Sequence, residues 1–467
     1  MLRGPHYHWL DQVPDLSALA ASFPRQFPYW LDTAAPGPAG GTSLLLYASD
    51  EVLLKLPSGQ LEGPGEGRDF FTRLEHWYQQ ERNAQPGSAF ADPGQSPFAG
   101  GWFLFLGYEM AREVEVKLLL PANTTGLPDA IAARCPGAII IFHAAQEAAP
   151  AAARALICAE SGAVLDRILQ LLHARTAPAA QTLPTLQWLQ AEPAEKFESG
   201  VDRVLHYLRA GDVFQVNISR HWQGHFDADA DPVALYRRLR AGNPAPFAGM
   251  MRWQGYSLLS SSPERLVQIR GTAMQTRPIA GTRPRGANAV LDLALSQELI
   301  ENAKERAEHI MLIDLERNDM GRVCRPGSIE VNELMVIESY AHVHHIVSNV
   351  RGELMPDASP IDAIRAVFPG GTITGCPKVR CMEIIAELEQ VGRGFYTGCM
   401  GYLGLDGSLD LNILIRSMLQ NGRDVCFRTG AGIVVDSIPG RELDETREKA
   451  RGMLLALQSG GAQASHA

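Results

Sequence analysis

Strand-like and helix-like segments follow one another in blocks along this chain, not in strict β-α-β alternation, and that order favours an α+β fold with large antiparallel sheets. Short apolar runs predict strands at 43–48, 51–56, 102–106 and 137–143. Phe197, Val201, Val204, Leu205 and Leu208 recur at helical spacing, which predicts an amphipathic helix over 195–210, ended by Gly211-Asp212. From Val213 to Arg220 the period becomes two: Phe214, Val216 and Ile218 face one way, Gln215, Asn217 and Ser219 the other. Residues 256–261 and 264–270 read as a hairpin, and a long helix is expected over 290–316. Another helix is expected from Pro377 to about Leu388, with proline near its start, where the missing N–H costs nothing. Strands at 397–404, 409–419 and 424–428 and a last helix over about 441–458 complete the pattern. Gly/Pro-rich loops at 34–42 and 84–101 and an alanine-rich excursion at 173–183 punctuate the first part. They place a soft boundary near 190, giving an N-terminal region 1–190 and a catalytic region 191–467 interleaved into one compact unit.

A length of 467 residues is enough for a sizeable core, and a formal charge of −10 argues against a nucleic-acid partner, which needs a basic surface. A local arginine cluster such as Arg277, Arg283 and Arg285 still suits a small anion. No run of about 18 apolar residues predicts a membrane span, and Met1-Leu-Arg-Gly-Pro-His lacks the layout of a secretory signal. The seven cysteines form no CxxC pair, so reduced thiols in the cytoplasm are expected and a structural zinc site is not.

Several constellations are able to carry chemistry. Glu305 and Glu308 share one helix face, as do Glu442, Glu445 and Lys449 on another. Two such helices would converge hard oxygen ligands on Mg²⁺, unless these are solvated charged faces. The turns Gly370-Gly-Thr-Ile-Thr-Gly375 and Thr429-Gly-Ala-Gly432 let backbone N–H groups approach an anion, or serve only as tight turns. Arg416, read as lying within an apolar strand, must be paired or bind something. His342 and His344 share one strand face and His345 the other. Glu264, after the turn Ser261-Ser-Pro, is a general acid if desolvated and a plain turn carboxylate if not.

The ordered set FQVNISR, SSPERL, RPIAGTRPRG, KERAEHIMLIDLERND, HVHHIVS, FPGGTITGCPKVRCMEII, FYTGCMGYLG, ILIRSM, TGAGIVVDS and ELDETREKA resembles the chorismate-binding enzymes. The resemblance is dense over 195–455 and touches the N-terminal part at Pro97–Gly101 and Leu106–Tyr108. It implies two large antiparallel sheets packed as a sandwich with helices outside. It also implies that one chorismate carboxylate is held through Mg²⁺ by Glu305, Glu308, Glu442 and Glu445. Arg416, Tyr396, the backbone of Gly430–Gly432 and Lys449 would hold the other, with Gly281 and Thr282 lining the ring. By the same resemblance His345 lies near the departing hydroxyl and Glu264 is the acid that helps it leave.

The resemblance also bears on the nucleophile. In the isochorismate and salicylate synthases of this family a lysine that activates water stands where this chain has Gln215, an amide that is no base at pH 7. Thr372 matches the ammonia-using members. Ammonia is therefore the expected nucleophile, supplied by a separate glutamine amidotransferase subunit, since the chain has no Gly-x-Cys-x-Gly segment. Two products remain open. Ala280 matches the anthranilate synthases, whereas many aminodeoxychorismate synthases carry a lysine there. Gly370–Gly375 resembles the aminodeoxychorismate type, and Trp30-Leu-Asp-Thr33 departs from the Leu-Leu-Glu-Ser with which anthranilate synthases bind tryptophan. The balance favours 4-amino-4-deoxychorismate.

Overall fold

Two antiparallel sheets face each other across a shared core in the computed structural model, which describes residues 5–35, 41–84, 96–144, 153–176, 182–286, 288–339 and 343–458. The twelve-stranded sheet runs His6–Leu10, Arg154–Ala159, Gly137–His143, Gly41–Tyr47, Tyr29–Asp32, Phe247–Trp253, Tyr256–Ser262, Ser417–Asn421, Asp424–Ile433, Gln215–Phe226 and Leu186–Ala191, with Gly375–Cys376 paired to Gln215–Phe226. The eleven-stranded sheet runs Ile279–Pro284, Val343–Glu353, Ala273–Arg277, Arg265–Arg270, Leu409–Ile413, Cys399–Gly404, Gly101–Leu106, Ala130–Cys135, Val52–Lys55 and Leu61–Glu62, with Glu330–Ser339 also on Val343–Glu353. Each sheet is continuous across the soft boundary near 190: a block of earlier strands joins a block of later ones, through Tyr29–Asp32 against Phe247–Trp253 in the first sheet and Gly101–Leu106 against Cys399–Gly404 in the second.

The inner faces meet through Tyr29, Leu44, Phe103, Phe105, Met400 and Leu419. Tyr29 and Phe103 stack across the gap with ring centroids 4.0 Å apart. Burying each such aromatic stabilises the fold by about 1.5–3 kcal/mol. The outer face of the first sheet is covered through Ile168, Leu235 and Met453 from the helices Gly162–Ala174, Pro232–Gly242 and Pro439–Leu457. The second is covered through Leu74, Ile313 and Ile364 from Phe70–Asn83, Ala303–Met320 and Pro360–Val367.

The helices Ala194–Ala210, Lys378–Glu389 and Pro439–Leu457 form where their periodicity places them, the first closed by Gly211 at φ 80°. Four expectations fail, each for a local reason. The long helix is two, Ala289–Glu301 and Ala303–Met320. Asn302 ends the first, and its Oδ1 accepts the N–H of Glu305 at 3.1 Å, acting as a cap for the second. Phe214 stands 65% exposed outside the strand, which begins at Gln215, so the apolar face of the strand starts at Val216 and Ile218.

The other two failures matter more. Segments 256–262 and 265–270 are not a hairpin: the first pairs in one sheet, the second in the other, and Pro263-Glu264 is the crossover between them. The expected strand 409–419 likewise splits into Leu409–Ile413 and Ser417–Asn421 in different sheets. Arg416 is in the second crossover, not within a strand, and holds φ 51°. That left-handed backbone costs a non-glycine residue on the order of 1 kcal/mol or more. The two crossovers lie side by side. Ile413 N–H donates to Glu264 O at 3.0 Å, Ser261 N–H to Arg416 O at 3.1 Å, and Ser262 Oγ–H to Ile413 O at 2.5 Å.

Candidate active site

Because both crossovers pass from one sheet to the other at the same level, they bring the acid Glu264 and the cation Arg416 into one place. Glu264 is 5% exposed, and Ile279 N–H approaches its Oε1 at 3.5 Å. Burial pushes its carboxyl up to about 7, against the opposing pull of Thr372, Ile279 and the charges of Arg416 and Lys449. Thr372, in the short turn Gly371–Ile373, favours the ionised form of Glu264, although its Oγ1 meets no partner at full hydrogen-bond geometry. Burial lowers the pKa of Arg416, and Glu264 is the charge that opposes this.

His345 sits on Val343–Glu353, 1% exposed, in register with Thr282. Burial and then Arg416 push its pKa down to about 3, so the ring is neutral. Gly281, at φ 72°, lies so close to the helix Ala303–Met320 that a Cβ there would stand 2.6 Å from Glu305 Oε2.

The opposite wall is the pair Gln215–Phe226 and Asp424–Ile433, in which Asn217 faces Gly432 and Ser219 faces Gly430. A Cβ at Gly430 would lie 2.8 Å from Tyr396 Oη and 2.9 Å from Asn217 Oδ1, and one at Gly432 would lie 2.7 Å from Gln215 Nε2. Glycine is required at both places because these polar side chains fold over the bare backbone. Lys449 Nζ donates to Gly430 O at 2.9 Å and pairs with Glu445 at 2.7 Å. Burial pushes the Tyr396 phenol up to about 12, so it keeps its proton.

Glu264, His345, Thr372, Gln215, Gly281, Tyr396, Arg416, Gly430, Gly432 and Lys449 are thus linked through one connected set of contacts. Both the Thr282 side chain and His342 lie outside the described residues. His344 points away, bonded to Ser339 and Asp292 at 2.7 and 2.9 Å. The four glutamates are less concentrated. Glu305 accepts from Arg283 at 3.2 Å, Glu308 is half-buried on the same helix, Glu442 is buried, and Glu445 is exposed beside Lys449. Among the described residues no three His, Cys, Asp or Glu side chains form a group able to hold a metal ion.

Three features escaped the sequence reading. Glu316 is 5% exposed, and burial and then Asp319 push it up to about 7. Its Oε1 would stand 3.3 Å from a Cβ at Gly371, immediately behind Thr372. An acid between Leu315 and Arg317 gives no sign of that burial. Glu389 joins Arg393 at 2.7 Å and Arg428 at 3.0 Å in a dry network. Arg393 also donates to Asn217 O at 2.7 Å and Ile373 O at 3.2 Å, tying together the backbones that carry Gln215 and Thr372. The third feature is a cavity of about 810 Å³ elsewhere between the sheets, lined by Asp32, Phe247, Arg265, Tyr402 and Asn412 among others. Asp32 there is engaged by Ser43, Tyr236 and Arg240 at 2.8, 3.0 and 2.5 Å.

No helix among the described residues is long and apolar enough to cross a membrane. Residues 54–455 match the family of chorismate binding enzymes. An anthranilate synthase component I-like protein of Synechocystis sp. is 42% identical over 366 residues, 78% of this chain and 74% of that one. Aminodeoxychorismate synthase component 1 of Bacillus subtilis is 50% identical over 263 residues, 56% of this chain and 55% of that one. The crystal structure of anthranilate synthase component I from Streptococcus pneumoniae superposes with a TM-score of 0.73 at 31% identity, covering 89% of this chain and 92% of that one. With a family match across most of its length and the same two-sheet fold in a related solved structure, the chain belongs to the chorismate-binding enzymes.

Proposed function

We propose that this chain is the synthase component of an aminodeoxychorismate synthase. It replaces the C4 hydroxyl of chorismate by an amino group, using ammonia from a separate glutamine amidotransferase subunit, on the way to folate. The observation that carries the reading is Gln215, a neutral amide only 7% exposed in the wall of the site, where the water-using relatives place a lysine. No strong base replaces that lysine, because His345 is held down to about 3.

Chorismate is a dianion, and in this reading Arg416, Lys449 and the Tyr396 hydroxyl bind one of its carboxylates. In the reaction the C–O bond at C4 breaks and a C–N bond replaces it. The Glu264 proton leaves with the departing hydroxide as water. The proton lost from the attached nitrogen returns to the Glu264 carboxylate, which balances the step. Expulsion of hydroxide without a proton donor is slow, and a positioned acid contributes about 10²–10⁴-fold.

Mg²⁺ is part of the proposal, with Glu305, Glu308, Glu442 and Glu445 as its ligands. Carboxylate oxygens are the donors this hard cation takes, and it would neutralise the second carboxylate. Since these four do not form an ion-holding group among the described residues, the steps above rest on the side chains alone. Glu305→Ala and Glu442→Ala are expected to raise the Mg²⁺ concentration for half-maximal turnover by at least about tenfold, the cost of losing even a supporting group at a metal. An unchanged Mg²⁺ titration would remove the assignment.

A second reading, anthranilate synthase component I, is favoured by Ala280 and by the 42% identity over 383 residues to anthranilate synthase component 1 of Pseudomonas aeruginosa. One assay separates the two. The chain is incubated with chorismate, Mg²⁺ and ammonium at about pH 8.5. Chorismate loss without pyruvate is the expected result; pyruvate with a fluorescent anthranilate overturns the first reading in favour of the second.

A further inference from the structure

Gln215 and Asn217 project from the same face of the Gln215–Phe226 strand, 7% and 8% exposed, and Gln215 Oε1 and Asn217 Oδ1 are buried without a hydrogen-bond partner. Ser219, next on that face, is fully used: its N–H and Oγ both reach Glu389 Oε1 at 2.9 Å. Gln215 and Asn217 thus leave acceptors open on the face where Ser219 is satisfied. A buried carbonyl oxygen without a donor is costly, and native folds retain few unless something outside the protein supplies the proton. Glycine on the neighbouring strand gives both amides room to lie over its backbone, since a Cβ at Gly432 or Gly430 would run into Gln215 Nε2 or Asn217 Oδ1.

We propose that Asn217, together with Gln215, forms the seat that receives the ammonia nucleophile. This rests on the reading that ammonia is the nucleophile and assigns the atoms that hold it. Two carbonyl oxygens accept two N–H groups and leave the nitrogen lone pair free to point at the ring. The same oxygens repel a carboxylate, so they complement the cationic Arg416 and Lys449 and do not compete with them for chorismate. Water offers two O–H groups to the same acceptors, but no adjacent base activates it. The seat thus binds either molecule and lets only the stronger nucleophile react.

Asn217→Leu, which keeps the branched shape and removes the acceptor, is tested in the chain with ammonium as the only nitrogen source. The Michaelis constant for ammonia is expected to rise by about tenfold, the size of one lost hydrogen bond. The Michaelis constant for chorismate and its equilibrium binding are expected to stay within about twofold. Asn217→Ala is measured in parallel, with thermal melting, so that a folding defect in one variant does not decide the result. A raised chorismate constant with an unchanged ammonia constant, or no change in either, overturns the proposal. Absence of ammonia-dependent turnover in the unaltered chain removes the ammonia reading itself, before any variant is made.

Discussion

Glu264→Gln is expected to lower kcat by about 10²–10⁴-fold while chorismate still binds, because the amide keeps the shape of the acid and has no proton to release. The pH profile tests the same role. Burial places the Glu264 carboxyl at about 7, so the competent neutral form is present below that pH and is lost as pH rises through it. At a constant concentration of uncharged ammonia, kcat/KM for chorismate should therefore fall above about pH 7. The limb in kcat should lie higher, because a bound dianion further favours the neutral acid. In Glu264→Gln the limb should disappear. A variant with near-normal kcat, or an unaltered limb, would show that another group supplies the proton.

The second large effect is on stability. Glu389→Ala is expected to destabilise the protein by about 3–5 kcal/mol, because it strands buried cations that had one shared counter-charge. Arg393 is 2% exposed and Arg428 5%, so neither reaches bulk water without rearrangement. Burial alone would raise the Glu389 carboxyl, but Arg393 and Arg428 outweigh it and hold it below its ordinary value. A carboxyl depressed in the folded state stabilises above its unfolded pKa, and that contribution is lost as pH falls toward the folded value. Chemical denaturation at neutral pH should show the full loss, and the gap between variant and parent should narrow in acid. A midpoint shift below about 1 kcal/mol would mean that the guanidiniums find other partners. Since Arg393 holds the backbone of Asn217 and Ile373, the variant should also lose activity before it unfolds.

Much of the site was legible because short sequence segments fix local geometry. Helix periodicity placed 195–210 and the last helix, and the period-two run put Gln215, Asn217 and Ser219 on one face. The reading stopped where the backbone changes sheet. Ser-Ser-Pro-Glu264 looks like a turn, and Ile413-Leu-Ile-Arg416 looks like a continuous strand, because composition does not encode which sheet receives the next hydrogen bond. Asn302 was hidden for a similar reason, since a capping residue in an otherwise helical run is silent until its Oδ1 turns to the backbone.

The sequence by itself determined which groups this protein owns: an amide in place of a lysine at 215, an acid at 264, glycines at 281, 430 and 432, and the surrounding cations. Only the tertiary structure decided their state. Glu264 keeps its proton up to near neutrality because burial at the crossovers outweighs the pull of Arg416, and His345 stays neutral because it is enclosed near the same cation. Desolvation and proximity of charge depend on what surrounds an atom in space, and residues 264, 345 and 416 meet only after the chain has passed between two sheets.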